Sequence, residues 1–278
     1  MHHVDSTSGV RLAVHDLGGE GPTLLCSHAT GFHAIVWRPM AQHLADRYHS
    51  IALDYRGHGA ATVPVDGDFH WRGFGEDALA VVDALGLDRP LAVGHSMGGA
   101  ALLMAEVWQP GTFGALALFE PIVFPAARPA NPAGNPLAAG ARRRRAEFPS
   151  RLDAFENYAA KPPLDVFTRE ALAAYVEHGF VDTDHGTVRL ACEPESEART
   201  FEASGSDATW DRLGEIRCPV LVLSGRVEPF QPSSWARQVD DAIPGARFEH
   251  SEHLGHFGPM EDPPAIADAI DAFFRSLA

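Results

Sequence analysis

Lysine is almost missing from this chain of 278 residues: of its 22 basic residues only Lys161 is one, and the rest are arginine. Cysteine is scarce as well. The three present, Cys26, Cys192 and Cys218, are odd in number and show no CxxC spacing. That excludes a disulfide scaffold and argues against a thiol zinc site or a redox pair. No apolar run approaches the ~20 residues that a membrane-spanning helix needs. The opening stretch Met1-His2-His3-Val4-Asp5 has neither the basic nor the apolar region of a secretory leader. Basic residues are outnumbered by 37 acidic ones, giving a net charge of −15. Such a surface repels nucleic acid and anionic membranes unless arginine is concentrated locally. One place does concentrate it, Arg142 to Arg145, which reads first as a solvated helix face and second as an anion-binding patch. The expectation is a soluble, cytoplasmic protein with no nucleic-acid or membrane partner. Its oligomeric state stays open.

Apolar residues are plentiful, at 45% of the chain, so disorder is excluded. The length suits one large domain, or one domain carrying an insertion. Short apolar runs recur at Val10 to His15, Thr23 to Cys26, Ser50 to Leu53, Leu91 to Val93, Ala115 to Phe119 and Pro219 to Leu223. These read as strands. Amphipathic stretches lie between them. Phe74 to Leu85 carries Leu79, Val82 and Leu85 and stops at Gly86; Gly98 to Trp108 is stopped by Pro110. A last helix is capped by Asp262, starts with Pro263 and Pro264, and aligns Ile266, Ile270, Phe273, Phe274 and Leu277. Strands alternating with helices predict an α/β fold with a mostly parallel central sheet flanked by helices.

The alternation breaks between Pro121 and about Asp211, where Pro121, Pro125, Pro129, Pro132 and Pro136 open an irregular segment. Helical patterns follow at Leu152 with Phe155, at Thr168 as a cap leading to Gly179, and from Pro194 to Phe201. A short run at Thr187 to Cys192 is the one strand-like stretch. The chain is therefore divided into a core, residues 1–120 and 212–278, and a helical cap, residues 121–211.

Gly94-His95-Ser96-Met97-Gly98, followed by Gly99, sets a G-x-S-x-G pattern between a strand and a helix. A serine on so tight a turn projects its Oγ above the sheet, and the flanking glycines relieve clashes in the strained backbone. The positive N-terminal end of the next helix favours negative charge developing there. Three further segments accompany it: His28-Ala-Thr-Gly31-Phe32, Asp54-Tyr-Arg-Gly57-His58-Gly59 and Gly255-His256. Together, in this order and over nearly the whole length, the four resemble the α/β-hydrolase superfamily.

The resemblance implies a serine nucleophile, Ser96, and a general base on the loop before the last helix. His256 fills that place, with Glu261 and Pro263 following as the family has them; His250 and His253 are the nearby competitors. Chain order asks for a carboxylate between Ser96 and His256. The family usually places it a few residues past the strand that ends at Gly225, where this chain offers Glu228. Glu120, at the end of the preceding strand, is the alternative. Two backbone N–H donors should face the oxyanion: the resemblance assigns them to Met97 and, on the loop after His28, to Thr30, with His28 as a brace. The Asp54 to Gly59 turn is read as structural. Trp37, Phe32, Phe124 and Phe155 are candidate walls of an apolar pocket.

This arrangement predicts hydrolysis of an ester or related acyl bond of a small molecule through an acyl-enzyme, with no metal and no organic cofactor. The same residues would also serve a C–C bond hydrolase, a lactonase or a cofactor-free perhydrolase. A slow-turnover ligand receptor is the reading from another class. Dehalogenase and epoxide hydrolase chemistry is disfavoured, because relatives doing it carry Asp where Ser96 stands. The Arg142 to Arg145 run lies in the cap and, on its second reading as an anion-binding patch, would favour an anionic substrate.

Overall fold

The computed structural model describes residues 1–125, 134–205, 207–229 and 231–277. Pro129 and Pro132 lie outside them. The apolar runs become strands: β1 (His2–Asp5), β2 (Arg11–Gly18), β3 (Thr23–Ser27), then, after helix α1 (Arg38–His43), β4 (His49–Asp54). Helix α2 (Arg72–Ala84) leads to β5 (Leu91–His95), and α3 (Met97–Trp108) to β6 (Ala115–Phe119). The insertion follows, with α4 (Pro136–Arg142), β7 (Glu147–Phe148), α5 (Arg151–Ala159), α6 (Arg169–His178), β8 (Phe180–Asp182), β9 (Val188–Leu190) and α7 (Pro194–Glu202). The chain returns through β10 (Val220–Ser224), α8 (Ser233–Ala242), β11 (Arg247–His250), α9 (Gly258–Glu261) and α10 (Pro263–Arg275).

Among the described residues, eight strands form one sheet in the order β1-β2-β4-β3-β5-β6-β10-β11. The β1–β2 and β2–β4 pairs are antiparallel, and every pairing from β4 to β11 is parallel. Every residue of β6 and β10 is buried, as expected for strands covered on both faces. Helix α3 is buried on all sides except at Trp108, which explains why its sequence is apolar throughout rather than on one stripe. Helix α10 instead buries a single face, Ile266, Ile270, Phe273 and Phe274, and Asp262 caps it by accepting the Ala265 N–H. Leu277 lies beyond the end of that helix and is exposed.

The insertion is not purely helical. Strands β7, β9 and β8 make a small antiparallel sheet inside it; two or three residues are too few for an alternating pattern to register in sequence. Its apolar side chains Phe148, Leu164, Phe167, Leu172 and Tyr175 join one cluster with Leu24, Val93 and Phe119 of the main sheet. The insertion therefore completes one face of the core. A 3-10 turn, Thr209–Glu215, straddles the expected boundary at 211 and buries Leu213 against α3. The four arginines do not form a helix face: α4 ends at Arg142, and the remainder run off its C-terminus.

Candidate active site

Parallel strands β5, β6 and β10 end at the same edge of the sheet, and the chemistry-bearing residues collect there. Between β5 and α3, Ser96 has φ 54° and ψ −116°, a conformation that a non-glycine residue holds only when its surroundings impose it. The surroundings do so through the backbone. Ser96 N–H donates to the Phe119 carbonyl at 3.0 Å, and its own carbonyl accepts from Ala100 at 3.1 Å and Ile122 at 3.2 Å. The side chain is thus turned out from the strand-to-helix corner. Gly98 is required by its neighbours, since a Cβ there would stand 2.3 Å from the Ser27 carbonyl oxygen. That close approach brings the loop after β3 onto the first turn of α3, whose leading N–H groups have no partner within the helix.

His256 lies between Ser96 and Glu120. Its Nε2 is 3.2 Å from Ser96 Oγ, and its Nδ1 is 2.6 Å from Glu120 Oε2. Glu120 is fully buried, with φ 45°. It is fixed on every side: its N–H donates to the Leu223 carbonyl at 2.9 Å, and Oε1 accepts from Gly225 N–H at 2.9 Å. Because a carboxylate only accepts, His256 Nδ1 carries the proton of that contact, leaving Nε2 as the acceptor facing Ser96. The neighbours of His256 are also held. Glu261 accepts from Gly255 N–H at 2.8 Å and Phe257 N–H at 3.1 Å, one residue either side. His95, fully buried, donates from Nε2 to the His256 carbonyl at 2.8 Å. Burial, reinforced by the neighbouring His256, holds the His95 pKa well below the ordinary imidazole value.

The expectation for Glu228 is corrected here. Its carboxylate pairs with Arg226 at 2.8 Å and is about half exposed, 48%, while Glu120 occupies His256 Nδ1. The physical reason is local: two residues from Arg226 on an exposed loop, Glu228 has a nearer charge partner than any imidazole. Neither competing histidine reaches Ser96. His250 lies 3.7 Å from Glu252, and His253 contacts Ser251 Oγ at 3.0 Å.

The loop carrying Thr30 is braced from beneath. Tyr55 N–H donates to His28 Nε2 at 3.1 Å, so Nδ1 bears the hydrogen and donates to the Ala29 carbonyl at 2.7 Å. Burial pushes His28 down to about 3, so the ring stays neutral near pH 7. The same Ala29 carbonyl accepts from Phe32 N–H at 3.1 Å. The Asp54 to Gly59 turn supports this region: Asp54 accepts from Ala34 N–H at 2.6 Å, and Arg56 pairs with Asp77 at 2.7 Å in the interior.

Of the four expected pocket aromatics, Phe32 stands near the site, 6.0 Å from His95 and 5.7 Å from Phe257 between ring centres. Phe257 and Phe167 complete that wall; neither was singled out from sequence, because an aromatic beside a loop histidine carries no spacing signal. Trp37 is fully buried in the core, Phe124 packs on Trp235 at 5.6 Å, and Phe155 lies under Arg169 at 5.3 Å. The arginine run is largely neutralised within the insertion. Arg142 pairs with Glu195 and Glu202, Arg144 pairs with Glu197, and Arg145 stacks on Phe148. Among the described residues, no group of three or more His, Cys, Asp and Glu side chains is arranged to hold a metal ion, and no helix is long and apolar enough to cross a membrane.

Comparison with known proteins bears on the family and the fold. A family model described as "Alpha/beta hydrolase family" matches residues 24–269. The chain is 25% identical over 260 residues to 3-oxoadipate enol-lactonase 2 of Acinetobacter baylyi, covering 91% of this chain and 89% of the relative. It is also 25% identical over 258 residues to (E)-2-((N-methylformamido)methylene)succinate hydrolase of the same species, covering 93% and 92%. The solved structure of E-2-(acetamidomethylene)succinate hydrolase superposes with a TM-score of 0.80 at 20% identity, covering 99% of this chain and 98% of the other.

Proposed function

The chain belongs to the alpha/beta hydrolase family, and on that premise we propose that it is a serine hydrolase cleaving an ester or related acyl bond of a small molecule through an acyl-enzyme. One observation carries the proposal: His256 bridges buried Glu120 and Ser96 Oγ, at 2.6 and 3.2 Å, beneath a strained strand-to-helix corner. Ser96 attacks the acyl carbon while His256 Nε2 takes its proton. Glu120 holds the ring in that tautomer and stabilises the imidazolium that forms. The Met97 and Thr30 N–H groups receive the oxyanion of the tetrahedral intermediate, and the N-terminal end of α3 adds its positive potential. His256 then returns the proton to the leaving group and, in the second step, activates water against the acyl-enzyme. These steps call on no metal or organic cofactor.

A lactone is one substrate form this reading admits, since enol-lactonases are among the relatives, beside hydrolases named for carbamate and methylenesuccinate substrates. An internal ester passes through the same two steps, with its alcohol still tethered to the product. A cytoplasmic site of action, a small-molecule substrate and no nucleic-acid or membrane partner belong to the same proposal. Three buried, unpaired cysteines support the location.

The test is labelling with a fluorophosphonate followed by mapping of the modified residue, together with turnover of p-nitrophenyl and lactone substrates. Modification of Ser96 is expected, and Ser96→Ala should lose nearly all turnover while its melting temperature is kept. Turnover retained in that variant removes the proposal.

A further inference from the structure

Helix α6, in the insertion, reaches helix α9, just past His256, and the loop that carries Thr30. At its start, Thr168 N–H donates to the Met260 carbonyl at 2.9 Å, next to Glu261. Toward its end, buried Tyr175 lies over the loop that carries Thr30. Arg144 Nη2 approaches the Tyr175 hydroxyl at 2.6 Å, while Arg144 Nη1 pairs with Glu197 Oε2 at 2.5 Å. A guanidinium can only donate, so the phenol oxygen accepts from it and keeps its own hydrogen for another partner. That partner is the Gly31 carbonyl, at a long 3.4 Å. Burial raises the Tyr175 pKa above the ordinary tyrosine value, so the hydrogen remains in place. Glu197 closes over the same turn. Gly31 has φ +79°, and a Cβ there would stand 2.6 Å from Glu197 Oε1, so only glycine lets the ion pair sit against this backbone.

The peptide planes then transmit the contact. The Gly31 carbonyl and the Phe32 N–H belong to one planar trans unit and point in opposite directions. The Phe32 N–H donates to the Ala29 carbonyl at 3.1 Å. The Ala29 carbonyl in turn shares a peptide plane with the Thr30 N–H, which must point the opposite way. Two peptide planes thus connect the Tyr175 hydroxyl to the Thr30 N–H, with Arg144 at the outer end. Hydrogen bonds in such a series polarise one another in a low-dielectric interior.

We propose that Tyr175, held by Arg144, is a positioning residue that aims the Thr30 N–H at the oxyanion through this series. The insertion then supports the chemical step itself and not substrate choice alone. The inference rests on the reading of Ser96 as nucleophile with Thr30 as second donor. Tyr175→Phe keeps the ring and removes the hydroxyl. Complete loss of one oxyanion donor costs about 10²–10³-fold in kcat; loosening a donor that stays present should cost on the order of tenfold.

Two readouts apply: the second-order rate of fluorophosphonate labelling at Ser96, whose phosphoryl oxygen occupies the oxyanion position, and the split of kcat from KM on p-nitrophenyl acetate. The expected result is a labelling rate and a kcat each lowered about tenfold, with KM within about twofold and the melting temperature unchanged. Arg144→Gln, which keeps a donor to Tyr175 but removes the charge, should move both readouts the same way by a smaller factor, and it stands in if Tyr175→Phe does not fold. An unchanged labelling rate in a folded variant, or a raised KM with unchanged kcat, overturns the inference while leaving the hydrolase reading intact. If the unaltered protein is not labelled at Ser96, the hydrolase reading falls and takes this inference with it.

Discussion

A carboxylate orients an imidazole only by meeting its N–H at hydrogen-bond distance, and here Glu120 does so from a fully buried position. The difference between Glu120 and Glu228 is therefore open to a direct kinetic test. Glu120→Gln should lower kcat by roughly 10³–10⁴-fold, the scale of losing the correct tautomer in a triad. Glu228→Gln should leave kcat within about twofold, since its carboxylate serves Arg226 at the surface. Equal losses in the two variants, by steady-state turnover, would contradict the assignment. Ser96 and His256 were legible from sequence because the glycine pattern around the first and the loop position of the second are local signals. The acid was not. Its place depends on which of two neighbouring strand ends reaches the ring, and that is a property of the assembled sheet. Tyr175 was equally hidden: a tyrosine on an amphipathic helix reads as core, and it is core, except for the oxygen that meets Gly31.

At the scale of elements, the main sheet and its helices were legible because buried parallel strands are short unbroken apolar runs and α10 has one clean apolar face. The small sheet of the insertion was not, its strands being too short for any period. One connection matters most for the site. The loop before α9 holds His256 between two backbone N–H groups that share one carboxylate, Glu261. Glu261→Gln retains an oxygen for one of them and should lower kcat on the order of tenfold with little change in stability. Glu261→Ala strands both donors; they are only part-buried, so each costs at the low end, about 1 kcal/mol. With ~2–4 °C per kcal/mol for a chain near this size, a melting temperature lower by about 5 °C is expected by calorimetry. Full activity in Glu261→Ala would show that the loop holds His256 without this brace.

Across the whole molecule, the interior contains several histidines held neutral. Burial lowers His28 to about 3 and His33 to about 4, and it lowers His58 and His95 as well. In the unfolded chain the same rings titrate near ~6.5, so the unfolded state binds more protons below that pH. Folded pKa values that are depressed give stability that is complete above ~6.5 and drains away as pH falls toward 4 and 3, at up to about 1.4 kcal/mol per pH unit for each ring. Urea midpoints should therefore drop between pH 7 and 5 at constant m-value; a midpoint unchanged over that interval would refute the account. The sheet order has a consequence of a historical kind. Strands β6 and β10 are neighbours, and Glu120 already bonds to Leu223 and Gly225 of the adjoining strand end. The two carboxylates that this sequence offers, Glu120 after β6 and Glu228 past β10, thus belong to strand ends about one strand spacing apart, ~5 Å. A descendant can acquire a second carboxylate on the β10 side, pass through a form bearing both, and then drop Glu120, with His256 never left without a partner. A shift of the acid between these strands would therefore pass through no form in which the imidazole lacks a carboxylate.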